Sequence, residues 1–125
     1  MEFSQEARAI GQKLLEHHSA TCRSITVPPL DLLDSDVRRL SIRYRTLCER
    51  AGLQSLTRLA GNFLYEIAIW CDEKGWPPIN ALVVNQSGLP GEGYDTAPGG
   101  GYARWPEQVR RAITFKGYPD VMPTK

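Results

Sequence analysis

Between Gly75 and Trp105 the chain reads GWPPINALVVNQSGLPGEGYDTAPGGGYARW, and this stretch limits the fold more than any other. Pro77 and Pro78 exclude helix at its start. Six of the chain's eleven glycines follow, at 88, 91, 93, 99, 100 and 101, in a loop over residues 86–104. Only the short β-prone run INALVVN interrupts it, with NQSG reading as a turn. The helical scaffold therefore has to come from the residues on either side. The predicted fold class is α+β: an α-dominant single domain over residues 1–125, with about four helices and a small β element.

Residues 4–18 place Ala7, Ile10, Leu14 and His18 on one stripe, with Ser4 available as N-cap. Ile25 and Val27 alternate with polar neighbours, so 23–27 reads as a short strand. A second helix is expected to open at DSDV, capped by Asp34 or Ser35, and to run through Val37, Leu40, Tyr44, Leu47, Cys48 and Ala51 to Gly52. A third opens at Ser55 and ends at Gly75. The turn between them is about three residues, which predicts a helix-turn-helix pair with a winged-helix-like surround. Pro106 starts a last helix, PEQVRRAITF. The tail at 117–125 carries two prolines and reads as a flexible surface segment.

A net charge of +1 means that any nucleic-acid site must arise from local clustering of arginines, since bulk charge does not supply it. The three cysteines, Cys22, Cys48 and Cys71, are odd in number and lack Cys-x-x-Cys spacing, which fits reduced thiols in a cytoplasmic protein. No stretch has the unbroken apolar length of a membrane span, and no membrane partner is expected.

Arg38, Arg39, Arg43, Arg45, Arg50 and Arg58 fall within twenty-one residues that contain one acid, Glu49. Arginine suits bidentate contact with phosphate or guanine. The competing reading is a solvated helix face with local ion pairs to Asp34, Asp36 and Glu49.

Tyr44, Leu47, Ala51-Gly52, Arg58 and Gly61, followed by Val83-Val84, Ser87-Gly88 and GEGY ending at Tyr94, stand in an order and spacing that resembles the DNA-binding domain of the O6-alkylguanine alkyltransferases and their non-enzymatic alkyltransferase-like relatives. The resemblance covers about residues 40–95. It implies DNA as partner, an Arg58 that fills the gap left by a flipped base, and a Tyr44 that crowds the target phosphate. From its place on the apolar stripe alone, Tyr44 reads as core. The family's Pro-Cys-His-Arg run corresponds here to Ile79-Asn80-Ala81-Leu82, so the nucleophile and its activating His are missing. Alkyl transfer by that chemistry is excluded on this alignment.

The loop offers a second candidate surface, comprising Asn80, Gly91, Gly93, Tyr94, Gly99, Gly100, Gly101 and Arg104. Exposed backbone N–H groups there can cradle an anion or admit a close partner. Gly-Glu-Gly sets an acid where phosphate would be repelled, which favours a partly packed surface loop without chemistry of its own. His17, His18 and Cys22 lack a second ligand pair, so no metal is expected, and no cofactor or catalytic residue is assigned. The expected function is non-catalytic nucleic-acid binding or regulation, DNA favoured. The rivals are a protein-interaction module, such as a small inhibitor or accessory subunit, and a small-ligand or nucleotide binder using the loop.

Overall fold

The computed structural model describes residues 2–124, apart from the Glu92 side chain. It is an α-dominant α+β fold, with five α-helices among the described residues and one two-stranded parallel sheet. Helix α1 (Gln5–Thr21) starts where Ser4 Oγ accepts the Ala7 N–H at 3.1 Å. The Glu66 carboxylate fixes that cap from across the fold, taking the Ser4 N–H at 2.8 Å and the Ser4 hydroxyl at 2.7 Å. Ala7, Ile10 and Leu14 are fully buried as their helical spacing predicts, and α1 packs on α4 (Ala60–Lys74), which buries Leu64, Ile67 and Cys71. Burying each large aliphatic here stabilises the fold by about 1.5–3 kcal/mol. The helices approach closely at Gly11, where an added Cβ would lie 2.8 Å from Ile67 Cδ1 and from Met122 Sδ.

The expected second helix is broken in two. Helix α2 (Asp34–Leu40) ends at Ser41, strand β1 (Ile42–Arg43) follows, and α3 (Tyr44–Arg50) begins at once. Two forces win over helical continuity. The Ser41 hydroxyl donates back to the Arg38 carbonyl at 3.0 Å, which competes with the helix, and β-branched Ile42 pairs in parallel with Val83. Neither Asp34 nor Ser35 is the N-cap of α2. Leu33 holds that position, and Asp36 takes its free N–H at 2.9 Å.

The connection from α3 to α4 is longer than the three residues expected. After Gly52, at φ +74°, a 3₁₀ segment spans Gln54–Leu59, with Thr57 Oγ1 donating to the Gln54 carbonyl at 2.7 Å. Arg58 therefore sits on the turn ahead of α4 and not on the helix itself. Gly75, at φ +72°, stops α4 as predicted.

No strand forms at residues 23–27. The Lys116 ammonium donates to the carbonyls of Cys22, Arg23 and Ile25 at 3.1, 2.7 and 2.6 Å, occupying the acceptors that a neighbouring strand would need. The run INALVVN yields only β2 (Val83–Val84), because Ile79–Leu82 forms a buried 3₁₀ turn closed by Ala81 N–H to the Pro78 carbonyl at 3.0 Å. Helix α5 (Trp105–Thr114) carries Pro106 in its first turn and buries Val109, Ala112 and Ile113 against that turn.

The tail is docked, contrary to the expectation of a loose segment. Tyr118 donates its hydroxyl to the Pro77 carbonyl, Met122 is buried, and Gln12 Oε1 takes the Met122 N–H at 2.8 Å. Aromatic contact supplies the adhesion: the Tyr118 ring meets Trp76, Phe115 and His18 edge-on, at centroid distances of 5.9, 4.7 and 4.9 Å.

Candidate nucleic-acid interface

Three elements meet around Tyr44. The parallel pairing of β1 with β2 sets the first residue of α3 beside the loop that follows β2. The 3₁₀ segment before α4 brings Thr57 and Arg58 to the same place. Together they form a groove of about 540 Å³. One wall is Arg58, Gly61, Asn62 and Tyr65, the other is Gly91, Gly93 and Thr96, and Tyr44 and Thr57 complete it. A second groove of about 330 Å³ shares Tyr44 and Thr57 and is lined by Arg43, Arg45, Asn85 and Gln86.

Tyr44 sits between the core and the loop. It is half-buried, as its stripe predicts, yet its hydroxyl faces the loop and accepts the Gly91 N–H at 3.1 Å. Burial raises its pKa, so the phenol stays neutral and available to donate.

The loop has defined geometry. The Asn85 side-chain oxygen takes the N–H groups of Ser87 and Leu89 at 2.8 and 3.2 Å around Gly88, whose φ is +78°. The Tyr102 hydroxyl donates to the Gly91 carbonyl at 3.2 Å, and the Gly101 N–H donates to the Tyr94 carbonyl at 3.0 Å. Gly99, Gly100 and Gly101 lie outside both grooves and serve this folding: Gly101 has φ +113°, and a Cβ on Gly100 would strike the Tyr94 backbone.

The arginines divide into engaged and unengaged sets. Arg43, Arg45 and Arg58 are exposed, line the grooves, and take part in none of the salt bridges among the described residues. Arg38 is exposed beside Gly88, 3.9 Å from where a Cβ on that glycine would stand. Arg39 is held by Asp36 at 3.3 Å, so here the local ion-pair reading applies. Arg50 lies beside His17 in a separate hollow, and Arg104 is exposed before α5, outside both grooves.

Asn80 and Tyr94 sit beneath the first groove. Both are buried, at 5% and 4% exposure, and both line a cavity of about 10 Å³ bounded by Tyr44, Gly61, Tyr65 and Gly93. Asn80 Oδ1 and Tyr94 Oη have no hydrogen-bond partner, and burial raises the Tyr94 pKa. Two unpartnered polar atoms against one cavity are unusual, since such atoms are ordinarily paired.

Cysteine chemistry has no place in the grooves. Cys22, Cys48 and Cys71 are free and buried, and desolvation raises all three thiols, Cys71 to about 11. Among the described residues, no three of His, Cys, Asp and Glu come together as a metal site, and no helix is long and apolar enough to cross a membrane.

Thr57, Asn62, Tyr65, Thr96, Asn85 and Gln86 were not foreseen as site residues. One of them carried a signal. Tyr65 lies off the stripe of Leu64, Ile67, Ala68 and Cys71, so an aromatic ring had to emerge on the polar face of α4, and it is 42% exposed.

No protein-family model, curated protein or solved structure matches this chain.

Proposed function

We propose that this is a non-catalytic nucleic-acid-binding protein of the cytoplasm, DNA favoured, whose interface is the pair of grooves meeting at Tyr44. One observation carries the reading: Arg43, Arg45 and Arg58, free of salt bridges among the described residues, line two grooves that share a wall. Exposed guanidinium groups without carboxylate partners are suited to phosphate oxygens and guanine edges. The resemblance to alkyltransferase-like domains supports the same surface, because Tyr44, Arg58 and Gly61 are among its matched positions and all three line the first groove.

Titration of a labelled oligonucleotide at two salt concentrations tests it. Three phosphate contacts give a slope of log affinity against log salt of about −2 to −3. Arg58→Ala should weaken binding by about 1–3 kcal/mol if it contacts a base, and Arg43→Ala and Arg45→Ala should each flatten the slope by roughly one. Absence of salt-sensitive affinity for any nucleic acid would overturn the reading.

A second reading, the protein-interaction module, is favoured by a different surface. Leu30 is 88% exposed, Leu33 66% and Val27 43%, all on the connection between α1 and α2. Apolar side chains so displayed suit a protein partner.

A further inference from the structure

The connection between α1 and α2 holds its apolar side chains outward on a pinned backbone. Leu32 is buried, its carbonyl takes the Arg110 Nε–H at 3.0 Å, and the same guanidinium reaches the Asp34 carboxylate at 2.7 Å. Pro28, at φ −60° and ψ 153°, and the 3₁₀ turn Pro29–Asp31 stiffen the backbone just before Leu32. Val27, Leu30 and Leu33 therefore form a fixed knob with Leu30 as its crest, and covering it costs little ordering entropy. The inference below rests on the reading of this knob as a protein-facing surface, and names the protein.

At the C-terminal end of α4, with the larger arginine groove at its other end, lies a hollow of about 300 Å³. Trp70 and Trp76 make its corner, with ring centroids 5.1 Å apart and planes at 82°, and Pro119, Val121 and Pro123 of the tail wall it in. Its ring N–H groups are unused. The Trp105 indole donates to the Ala81 carbonyl at 2.9 Å, whereas those of Trp70 and Trp76 have no acceptor among the described residues. Trp70 is only 4% exposed, yet neither of these two N–H groups is among the unpartnered polar atoms sealed from solvent, so both open at the surface. Indoles buried to this degree ordinarily find a partner.

Knob and hollow complement each other. The Val27 and Leu30 carbonyls accept no hydrogen bond among the described residues, which matches two free indole donors. Proline-bearing extended backbone is what aromatic-lined grooves take. Charge agrees as well: Asp31 beside the crest and Lys74 on the rim of the hollow are both exposed, and neither takes part in a salt bridge among the described residues. The two features lie on adjoining surfaces. Lys116 ties down residues 22–25, Arg23 pairs at 2.5 Å with Asp120 next to Val121, and the Phe115 ring stands 6.2 Å from that of Trp76. A two-fold axis between two copies can therefore seat each knob in the other copy's hollow and close the assembly at two. We propose that the protein forms a two-fold dimer in which Val27, Pro28 and Leu30 of one copy fill the Trp70–Trp76 hollow of the other, with Asp31 against the partner's Lys74.

Sedimentation velocity of the full chain, from about 1 to 500 µM, tests it. Two small contacts should give a weak dimer, with a Kd of about 10–100 µM. Leu30→Asp on the knob and Val121→Asp on the hollow should each weaken it at least about tenfold. Both side chains are largely exposed, at 88% and 67%, so these variants fold, and a thermal melt verifies it. Asp31→Lys and Lys74→Asp should each lower the affinity about fivefold, and the double exchange should restore it. Glu73, also on the rim and in no salt bridge among the described residues, opposes Asp31, so Glu73→Gln should tighten the dimer. A wild type that stays monomeric throughout would overturn the dimer and leave the knob's protein-facing reading standing. Association indifferent to Leu30→Asp would remove both, because the interface would then lie elsewhere. Association lost in Leu30→Asp but kept in Val121→Asp, or a double exchange that restores nothing, would show the knob seated on another surface and overturn the proposal as well.

Discussion

Replacing Gly11 by alanine should change sign with the residue at position 122. In the wild type, the new methyl would stand 2.8 Å from Ile67 Cδ1 and 2.8 Å from both Met122 Cε and Sδ. Contacts that close force the neighbours aside, and overpacking of this kind costs about 1–3 kcal/mol. Against it stands a gain of about 1 kcal/mol from alanine over glycine in a helix interior. The displaced atoms are the tips of flexible side chains, so the cost lies at the lower end, and Gly11→Ala should destabilise by up to about 1 kcal/mol. Met122→Ala alone removes a side chain only 4% exposed and should cost about 2 kcal/mol, the low end for such truncations because Met122 lies on an irregular segment outside the helices, which can relax. In the Met122→Ala background the two Met122 contacts are gone and only Ile67 Cδ1, the tip of a side chain that can turn into the vacated space, still stands 2.8 Å away. Gly11→Ala should then stabilise by several tenths of a kcal/mol, giving a coupling of about 1 kcal/mol or more. Urea denaturation of the four proteins measures it. If Gly11→Ala has the same effect in both backgrounds, within about 0.3 kcal/mol, Met122 does not occupy that socket and the docking of the tail is refuted.

Other consequences are as direct. His17 and His18 are buried with lowered pKa values, mainly through desolvation, with Arg50 near the first and Lys116 and Arg23 near the second. The unfolded chain therefore binds protons more readily, so stability should hold above pH 6.5 and fall below it, by at most about 1.4 kcal/mol per pH unit per histidine; urea midpoints between pH 7.5 and 5 that do not move would contradict this. Hydrogen exchange should find the Gly91 and Gly101 amides protected, and Tyr44→Phe should selectively lose protection at Gly91, whose acceptor it removes; equal exchange in both proteins would show that the bond does not form. The three buried thiols should resist a thiol reagent at neutral pH and react on unfolding, and O6-alkylguanine DNA should leave the intact mass unchanged. A stoichiometric mass gain would reverse the non-catalytic reading.

Periodicity and punctuation made the scaffold legible. The stripe of Ala7, Ile10 and Leu14, the stop at Gly75 and the start at Pro106 are local signals, and each marks a real helix feature. The break at Ser41 was not legible, because the apolar spacing continues through it from Leu40 to Leu47. Only the partner strand at Val83, remote in sequence, makes extended backbone favourable there. The strand expected at residues 23–27 failed for the converse reason: among the described residues no strand lies beside it, and a lysine takes its carbonyls. The tail misled because prolines suit an adhering strap as well as a loose end, and the socket at Gly11 arises only when α1 crosses α4. Within the candidate site, arginine clustering pointed to Arg43, Arg45 and Arg58, but it could not separate them from Arg39, whose engagement depends on the rotamer reached by Asp36. The cavity under Asn80 and Tyr94 is a product of tertiary packing and has no sequence signal.

Consecutive residues on an α-helix point roughly 100° apart, so neighbouring imidazoles reach different neighbours. His17 Nε2 meets the Leu40 carbonyl at 2.8 Å and His18 Nε2 meets the Ala112 carbonyl at 2.8 Å, both buried. Helix α1 therefore acts as an indexing shaft that sets the axial height of α2 on one side and of α5 on the other. Leu40 is four residues before Tyr44, with only Ser41 and the two residues of β1 between them. A slip of α1 by one residue would rotate both imidazoles off their carbonyls together and shift the level at which Tyr44 enters the cleft. The alignment of that phenol with the Gly91 amide is thus gauged from the far side of the fold, by a histidine that touches neither groove.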